Sequence, residues 1–313
     1  MRPRFGVLST SRIEPQPGRL HRTMHSPYDI QHEPVMTAQV IAGLNVRDGG
    51  AYVDCTLGDG GHAAAILDAS APGGRVLGLD ADPEAIEFSA RRLLSYGERV
   101  VLSNTNFNSL EQQTQLHNFV PADGLLFDLG LSSRQLDSED RGFSFRRSGP
   151  LDMRFSPEGP TAGDLVNSLP EQDLADLIYE LGEEPRSRRI ARAIVDARPV
   201  HDAAELAQIV ARASGYRRGR THPATRTFQA LRMAANDELG SLRSALGQSA
   251  RVLAAGGRLV TIAYHSLEDR EIKRFLAGGG LCPVNKRVIK PDPAETARNR
   301  RSRSARMRVA ERT

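Results

Sequence analysis

The stretch Gly58-Asp59-Gly60-Gly61-His62-Ala63 places three glycines and a histidine within six residues. Glycines remove the Cβ atoms that would block a close ligand, and they permit positive φ. A strand-to-helix turn of this composition can therefore cradle a nucleotide. Asp80 follows 22 residues after Gly58, at the end of an apolar run. From there a carboxylate can accept hydrogen bonds from both hydroxyls of a ribose. Two further groups are placed for chemistry. Asp128 closes the run Gly124-Leu125-Leu126-Phe127-Asp128, and His265 follows Arg258-Leu259-Val260-Thr261-Ile262-Ala263-Tyr264. An aspartate at a strand tip is a hydrogen-bond acceptor, and a histidine there is either a proton carrier or a buried structural ring. The eight histidines and two cysteines show neither HExxH nor paired thiolate spacing, so no metal site is expected.

The glycine loop alone leaves the ligand open. Gly58-x-Gly60-x-x-Ala63 fits the dinucleotide fingerprint, which makes a nicotinamide-dependent dehydrogenase one reading. S-adenosylmethionine presents the same adenosine half, but a sulfonium and an amino acid in place of the pyrophosphate. Asp54, Asp59, Asp80, Asp82 and Asp128 all fall near strand ends, and so many acids suit a cation better than two phosphates.

These residues need a scaffold that brings strand ends together. Ala51–Cys55, Arg75–Asp80, Val100–Leu102, Gly124–Asp128 and Arg258–Ala263 read as strands, with helices at His62–Ala69 and Pro83–Leu94. The nearly continuous apolar runs and the strand–helix alternation predict a parallel, doubly wound α/β sheet. Residues 131–160 read as loop. Ser168 with Glu171 reads as a capping box opening a helix that Gly182 closes, and Asp202 with Glu205 opens another. Phe228, Leu231, Ala235, Leu239, Leu242 and Leu246 read as one long helix packed on the core. The expected domains are a sheet domain of residues 31–133 plus 226–313 and an inserted all-helical, substrate-binding domain at 134–225. Residues 1–30 read as a disordered extension, with Met24 as an alternative start.

The chain has 313 residues, 39% of them hydrophobic, and no tryptophan, so aliphatic side chains must fill its core. No apolar run approaches the roughly 18 residues of a membrane span, and no membrane partner is expected. Cys55 and Cys282 lie far apart, which suits a reducing cytoplasm. Net charge is +4, but the arginines cluster: Arg298, Arg300, Arg301, Arg303, Arg306 and Arg308 form a run without an acid, and Arg217, Arg218 and Arg220 lie near Arg226. Two acid-free groups of arginine point to a polyanion.

Several strings resemble the bacterial family of 16S ribosomal RNA cytidine N4-methyltransferases, the H-type small-subunit methyltransferases. They are HEPVM at 32–36, DCTLGDGGH at 54–62, DLGLSSRQLD at 128–137, RGFSF at 141–145, GPLDMR at 149–154, HPATRTFQA at 222–230 and HSLEDR at 265–270. The resemblance runs in order from about residue 32 to the C-terminus. It implies a class I S-adenosylmethionine-dependent methyltransferase fold (Rossmann-like) with the helical insert. It also implies an enzyme acting on 16S ribosomal RNA or the small subunit; a cytoplasmic monomer or homodimer is expected. By the same resemblance, Gly60, Gly61 and His62 would meet the methionine end of the cofactor and Asp80 the ribose. Phe107 would meet the adenine, and Asp128 and Gln135 the far side of the pocket. Amino-methyltransferases commonly follow the strand-tip acceptor with Pro-Pro-aromatic. Here Asp128-Leu129-Gly130-Leu131 keeps the acceptor and lacks the aromatic, for which Phe143, Phe145 and Tyr264 are candidates. Besides the dehydrogenase, a catalytically silent ribosome-assembly factor is the alternative reading.

Overall fold

The apolar runs become parallel strands covered on both faces. The computed structural model describes residues 34–138, 140–145, 148–215 and 222–313; residues 1–30 and Arg217, Arg218 and Arg220 lie outside them. Strands β1 (Ala51–Asp54), β2 (Arg75–Asp80), β3 (Val100–Asn104), β4 (Ala122–Asp128) and β5 (Leu253–Ala263) are parallel. They are joined by β6 (Cys282–Pro283) and β7 (Arg306–Glu311) in the order β3-β2-β1-β4-β5-β7-β6, with β7 antiparallel to both its neighbours. Side chains alternate across each strand. Tyr52, Leu126, Val260 and Ile262 face a layer formed by α1 (Thr37–Leu44) and α2 (Gly61–Ala69), while Val53, Leu125 and Phe127 face the opposite layer. Helix α3 (Pro83–Arg92) follows β2, with Asp82 capping it and proline in its first turn. Helix α4 (Leu110–Leu116) follows β3.

Between β4 and β5 the chain forms α5 (Ser133–Asp137), α6 (Ala162–Ser168), α7 (Glu171–Gly182), α8 (Ser187–Asp196), α9 (Ala203–Ser214), α10 (Ala224–Ala235) and α11 (Glu238–Val252). Helices α6 to α10 surround a hydrophobic cluster of their own, built on Leu174, Ile178, Ile190, Ile194, Leu206, Val210, Phe228 and Leu231. Helix α10 thus packs with the helices that precede it, while Leu242 and Leu246 of α11 pack on the sheet. Helix α12 (Ser266–Ala277) follows β5, and α13 (Pro293–Arg298) precedes β7.

Several local expectations change. Ser168 ends α6 with its hydroxyl donating to the Asp164 carbonyl at 2.6 Å, so it does not cap α7, which starts after Pro170. The capping box belongs instead to Thr161 and Asp164, at the start of α6. Gly182 is the last residue inside α7, and Glu183 takes the left-handed position. The glycine is there for closeness: a Cβ would lie 2.6 Å from the Arg226 carbonyl oxygen of α10. The single long helix is broken at Asn236-Asp237. The Asn236 amide donates to the carbonyls of Met153 and Arg232, its oxygen accepts from Phe155 N–H at 2.7 Å, and Asp237 sits at φ 44°. Arg232 forks onto Glu238 across the break at 2.6 and 2.9 Å. The end of the arginine run forms strand β7. Met307 and Val309 of β7 are buried, and Arg308 pairs with Asp269 at 2.7 Å.

Asn236 therefore joins the GPLDMR loop to α10. Asn236→Ala strands two backbone groups and is expected to cost about 1–3 kcal/mol of stability. An unchanged midpoint in urea unfolding would show that the break is held by something else.

Candidate functional site

The strand order reverses between β1 and β4, and in such sheets ligands bind outside the carboxyl ends of the strands at that point. Asp54 ends β1, Asp128 ends β4 and Asp80 ends the neighbouring β2, so three of the predicted acids converge there. The glycine loop runs between them. Gly58 N–H donates to Asp80 Oδ2 at 2.8 Å, and Asp82 N–H donates to its Oδ1 at 2.9 Å. Gly60 precedes α2 at φ 72°, where a Cβ would stand 3.1 Å from Ser89 Oγ; the Ser89 hydroxyl donates back to the Gly58 carbonyl at 2.8 Å. A Cβ on Gly61 would press on Pro34 at 3.1 Å. These two glycines thus let α3 and Pro34 approach the loop closely enough to fix its shape.

Asp54 is fully buried, while Asp80 and Asp128 are half-buried. Burial pushes the Asp54 carboxyl up to about 6, although the nearby His62 opposes this. Its Oδ1 accepts from Thr56 N–H at 3.2 Å, while Oδ2 has no hydrogen-bond partner among the described residues. Burial likewise raises Asp80 to about 6, against the two backbone hydrogen bonds it accepts. His62 is 5% exposed, and its Nε2 lies 3.3 Å from Asp128 Oδ2, out of line for a hydrogen bond. Burial alone would pull the imidazole down, but Asp128, Asp54 and Glu295 outweigh it and hold His62 above its ordinary value.

Asp128 is fixed from two sides. Its N–H donates to Thr56 Oγ1 at 2.7 Å, and the Tyr264 hydroxyl donates to its Oδ1 at 2.8 Å. Burial, followed by this carboxylate, pushes the Tyr264 phenol well up, so it remains a donor. Gln135 is buried with a partner at each end of its amide. It donates to Asp82 Oδ2 at 2.8 Å, and its oxygen accepts from Ser132 N–H at 3.0 Å. Phe107 sits just past β3, edge-on to Phe127 with ring centres 5.6 Å apart. His265 caps α12. Its Nδ1 accepts from Glu268 N–H at 3.4 Å, and its Nε2 lies 2.9 Å from Glu268 Oε1.

The loop after β4 is tied down over this edge. Arg141 donates to Asp82 Oδ2 at 2.6 Å and to the Arg154 carbonyl at 2.7 Å, and Arg134 pairs with Asp59 while lying over the Phe88 ring. Phe143 stacks on Phe155, and Phe145 on His222, so both phenylalanines anchor the loop to the helical cluster. Glu295 of α13 was not legible as part of the site. It is buried, accepts from Met36 N–H at 2.6 Å and adds negative field at His62. Nothing in its local pattern marks it.

An open-ended sheet of this order, with a glycine loop at the reversal and an acid at each neighbouring strand tip, has the architecture of a class I methyltransferase. The match to a family model narrows that class: residues 29–313 fit the MraW methylase family, and the chain belongs to it. The chain is 54% identical over 301 residues to ribosomal RNA small subunit methyltransferase H of Dehalococcoides mccartyi, covering 90% of this chain and 86% of that protein. It is 46% identical over 317 residues to the protein of the same name from Thermomicrobium roseum, covering 94% and 97%. Against that of Xanthobacter autotrophicus it is 48% identical over 304 residues, covering 90% and 88%.

Asp54 gives a pH test independent of any ligand. Its carboxyl is raised from 3.8 to about 6, so the folded state holds an extra proton between those values and stability falls as pH rises through that window. The fall due to Asp54 is on the order of 3 kcal/mol. Asp54→Asn should reduce the loss of unfolding free energy between pH 3.8 and about 6 by that amount, leaving the share that Asp80 contributes over the same window. A variant that keeps the wild-type pH dependence would contradict the buried, ionisable Asp54 described here.

Proposed function

We propose that the chain uses S-adenosylmethionine to methylate the exocyclic N4 amine of a cytidine in the decoding region of 16S ribosomal RNA. The observation that carries the cofactor is Asp54 Oδ2, which has no hydrogen-bond partner among the described residues, beside His62 and Asp128 at the reversal of the sheet. An unpaired buried carboxylate oxygen is costly, and a ligand ammonium satisfies it. A pyrophosphate there would face Asp54, Asp80 and Asp128, which disfavours a dinucleotide. The likeness to small-subunit ribosomal RNA methyltransferases supports the RNA substrate.

In this reading Gly60, Gly61 and His62 border the methionine end, Asp80 takes the ribose, and Phe107 lies at the adenine. Gln135 forms the far wall by holding Asp82. The cofactor supplies a methyl already activated by a sulfonium. The protein's task is then alignment, which can be worth roughly 7–11 kcal/mol in favourable systems. Asp128 accepts a hydrogen bond from the N4–H and so localises the amine lone pair that ring conjugation withdraws. The methylated amine is acidic enough to lose its proton to water, so no dedicated base is required. His265 serves by holding α12 and the end of β5 through Glu268.

N4 is a Watson–Crick edge group, so the target base must leave its stack, at a cost of a few kcal/mol that backbone contacts offset. The helices at 134–225 act as the RNA-holding insert in this reading. Arg300 and Arg303, both exposed in the turn that leads into β7, add phosphate contacts in this reading.

Asp80→Ala should weaken S-adenosylmethionine binding in calorimetry, with NAD giving no heat in either protein; tight NAD binding would restore the dehydrogenase reading. Asp128→Ala should lose methyl transfer to small subunits by a larger factor than it loses cofactor affinity, and wild-type turnover would remove Asp128 from the mechanism. Replacing Arg300 and Arg303 by alanine should lower the slope of log affinity against log salt by about 0.7 per lost contact on single-stranded RNA. An unchanged slope would leave RNA binding to the insert.

A further inference from the structure

We infer that Tyr264 is the positioning residue for Asp128, aiming its carboxylate through a hydrogen bond rather than stacking on the target base. The inference rests on the role proposed for Asp128.

Three observations converge on it. The Tyr264 hydroxyl donates to Asp128 Oδ1 at 2.8 Å, from the residue just past the end of the neighbouring strand β5. The backbone around Asp128 is pinned by Thr56 Oγ1, so the remaining freedom is rotation of its carboxylate. Tyr264 fixes that rotation, with Oδ2 left on the side of His62 at 3.3 Å. The ring itself lies on the backbone of the loop after β4. A Cβ on Gly130, at φ 109°, would stand 3.3 Å from Tyr264 Cδ2. The small residue where amino-methyltransferases commonly carry proline thus gives the tyrosine room to reach the aspartate. The face turned to Gly130 is covered.

Tyr264 is in turn held from behind. Its N–H donates to Glu268 Oε2 at 2.9 Å, and Glu268 is buried against His265. A donor with no competing acid–base role suits this task. A tyrosine orients a carboxylate at small entropic cost, because the ring is fixed by packing. Asp128 keeps one oxygen for the substrate amine, and the other is occupied. This arrangement also accounts for a site that has the strand-tip acceptor and no aromatic in the segment that follows it.

Two variants separate positioning from stacking. Tyr264→Phe keeps the ring and loses the hydroxyl; Tyr264→Leu loses both. If Tyr264 acts through Asp128, both variants lose turnover on small subunits, each by about 10- to 100-fold, the value of a hydrogen bond to a charged group. The dissociation constant for S-adenosylmethionine and the melting temperature of Tyr264→Phe stay at wild-type values. If the ring stacks on the base, Tyr264→Phe turns over like wild type and only Tyr264→Leu fails, which overturns the inference. A joint loss of turnover, cofactor affinity and melting temperature in Tyr264→Phe also overturns it, because that pattern is structural. Asp128→Ala measured alongside identifies which claim has failed. An active Asp128→Ala removes the role of Asp128 itself. An inactive Asp128→Ala with a wild-type Tyr264→Phe removes only the role of Tyr264.

Discussion

The hydrogen bond from Gly58 N–H to Asp80 Oδ2 ties the loop after β1 to the tip of β2, and the rest of the site depends on that closure. It requires a backbone with positive φ at Gly58 and Gly60, and it brings a carboxylate into a place where burial holds it near 6. With the loop closed, α2 starts where His62 can sit between Asp54 and Asp128. Ser89 and Pro34 fill the space that side chains on the glycines would have taken. The strand edge is thus one connected set of backbone donors and acids, with Asp54 fully buried and Asp80 and Asp128 half-buried.

A second set of contacts joins this edge to the helices. Asp82 caps α3 and receives both Gln135 and Arg141, and Arg141 continues to the carbonyls of Arg154 and Phe155. Phe143 and Phe145 carry the same loop into the helical cluster. On the other side Glu183, at the end of α7, takes Ser266 and Arg270 of α12. The helices that are proposed to hold RNA are therefore linked to both sides of the strand tips, which makes their placement part of the alignment that the chemistry needs.

Sequence patterns revealed the strands well because buried parallel strands leave long apolar runs, and Arg75–Asp80 was bounded correctly by its own composition. The gathering of Asp54, Asp80 and Asp128 followed from those strand ends. What escaped was set by distant partners. The break at Asn236 depends on Met153 and Phe155, more than eighty residues away, while the apolar spacing runs through it undisturbed. Strand β7 was hidden by its arginines, although Arg306-Met307-Arg308-Val309 does alternate; Asp269, which pairs with two of those arginines, lies on α12. Glu295 reaches the site only through the folded chain. Tyr264 was visible as an aromatic near the site, but its bond to Asp128 needed the adjacency of β4 and β5.

The central claim is that this acid-lined strand edge delivers a methyl group to the N4 amine of a ribosomal cytidine. It is tested most directly by incubating the protein with unmodified small subunits and methyl-labelled S-adenosylmethionine, digesting the 16S RNA to nucleosides and resolving them by mass spectrometry. The account predicts that the label appears in a single N4-methylated cytidine from the decoding region. Label on a ring carbon, on a ring nitrogen or on a ribose oxygen, or no label in 16S RNA at all, would contradict it.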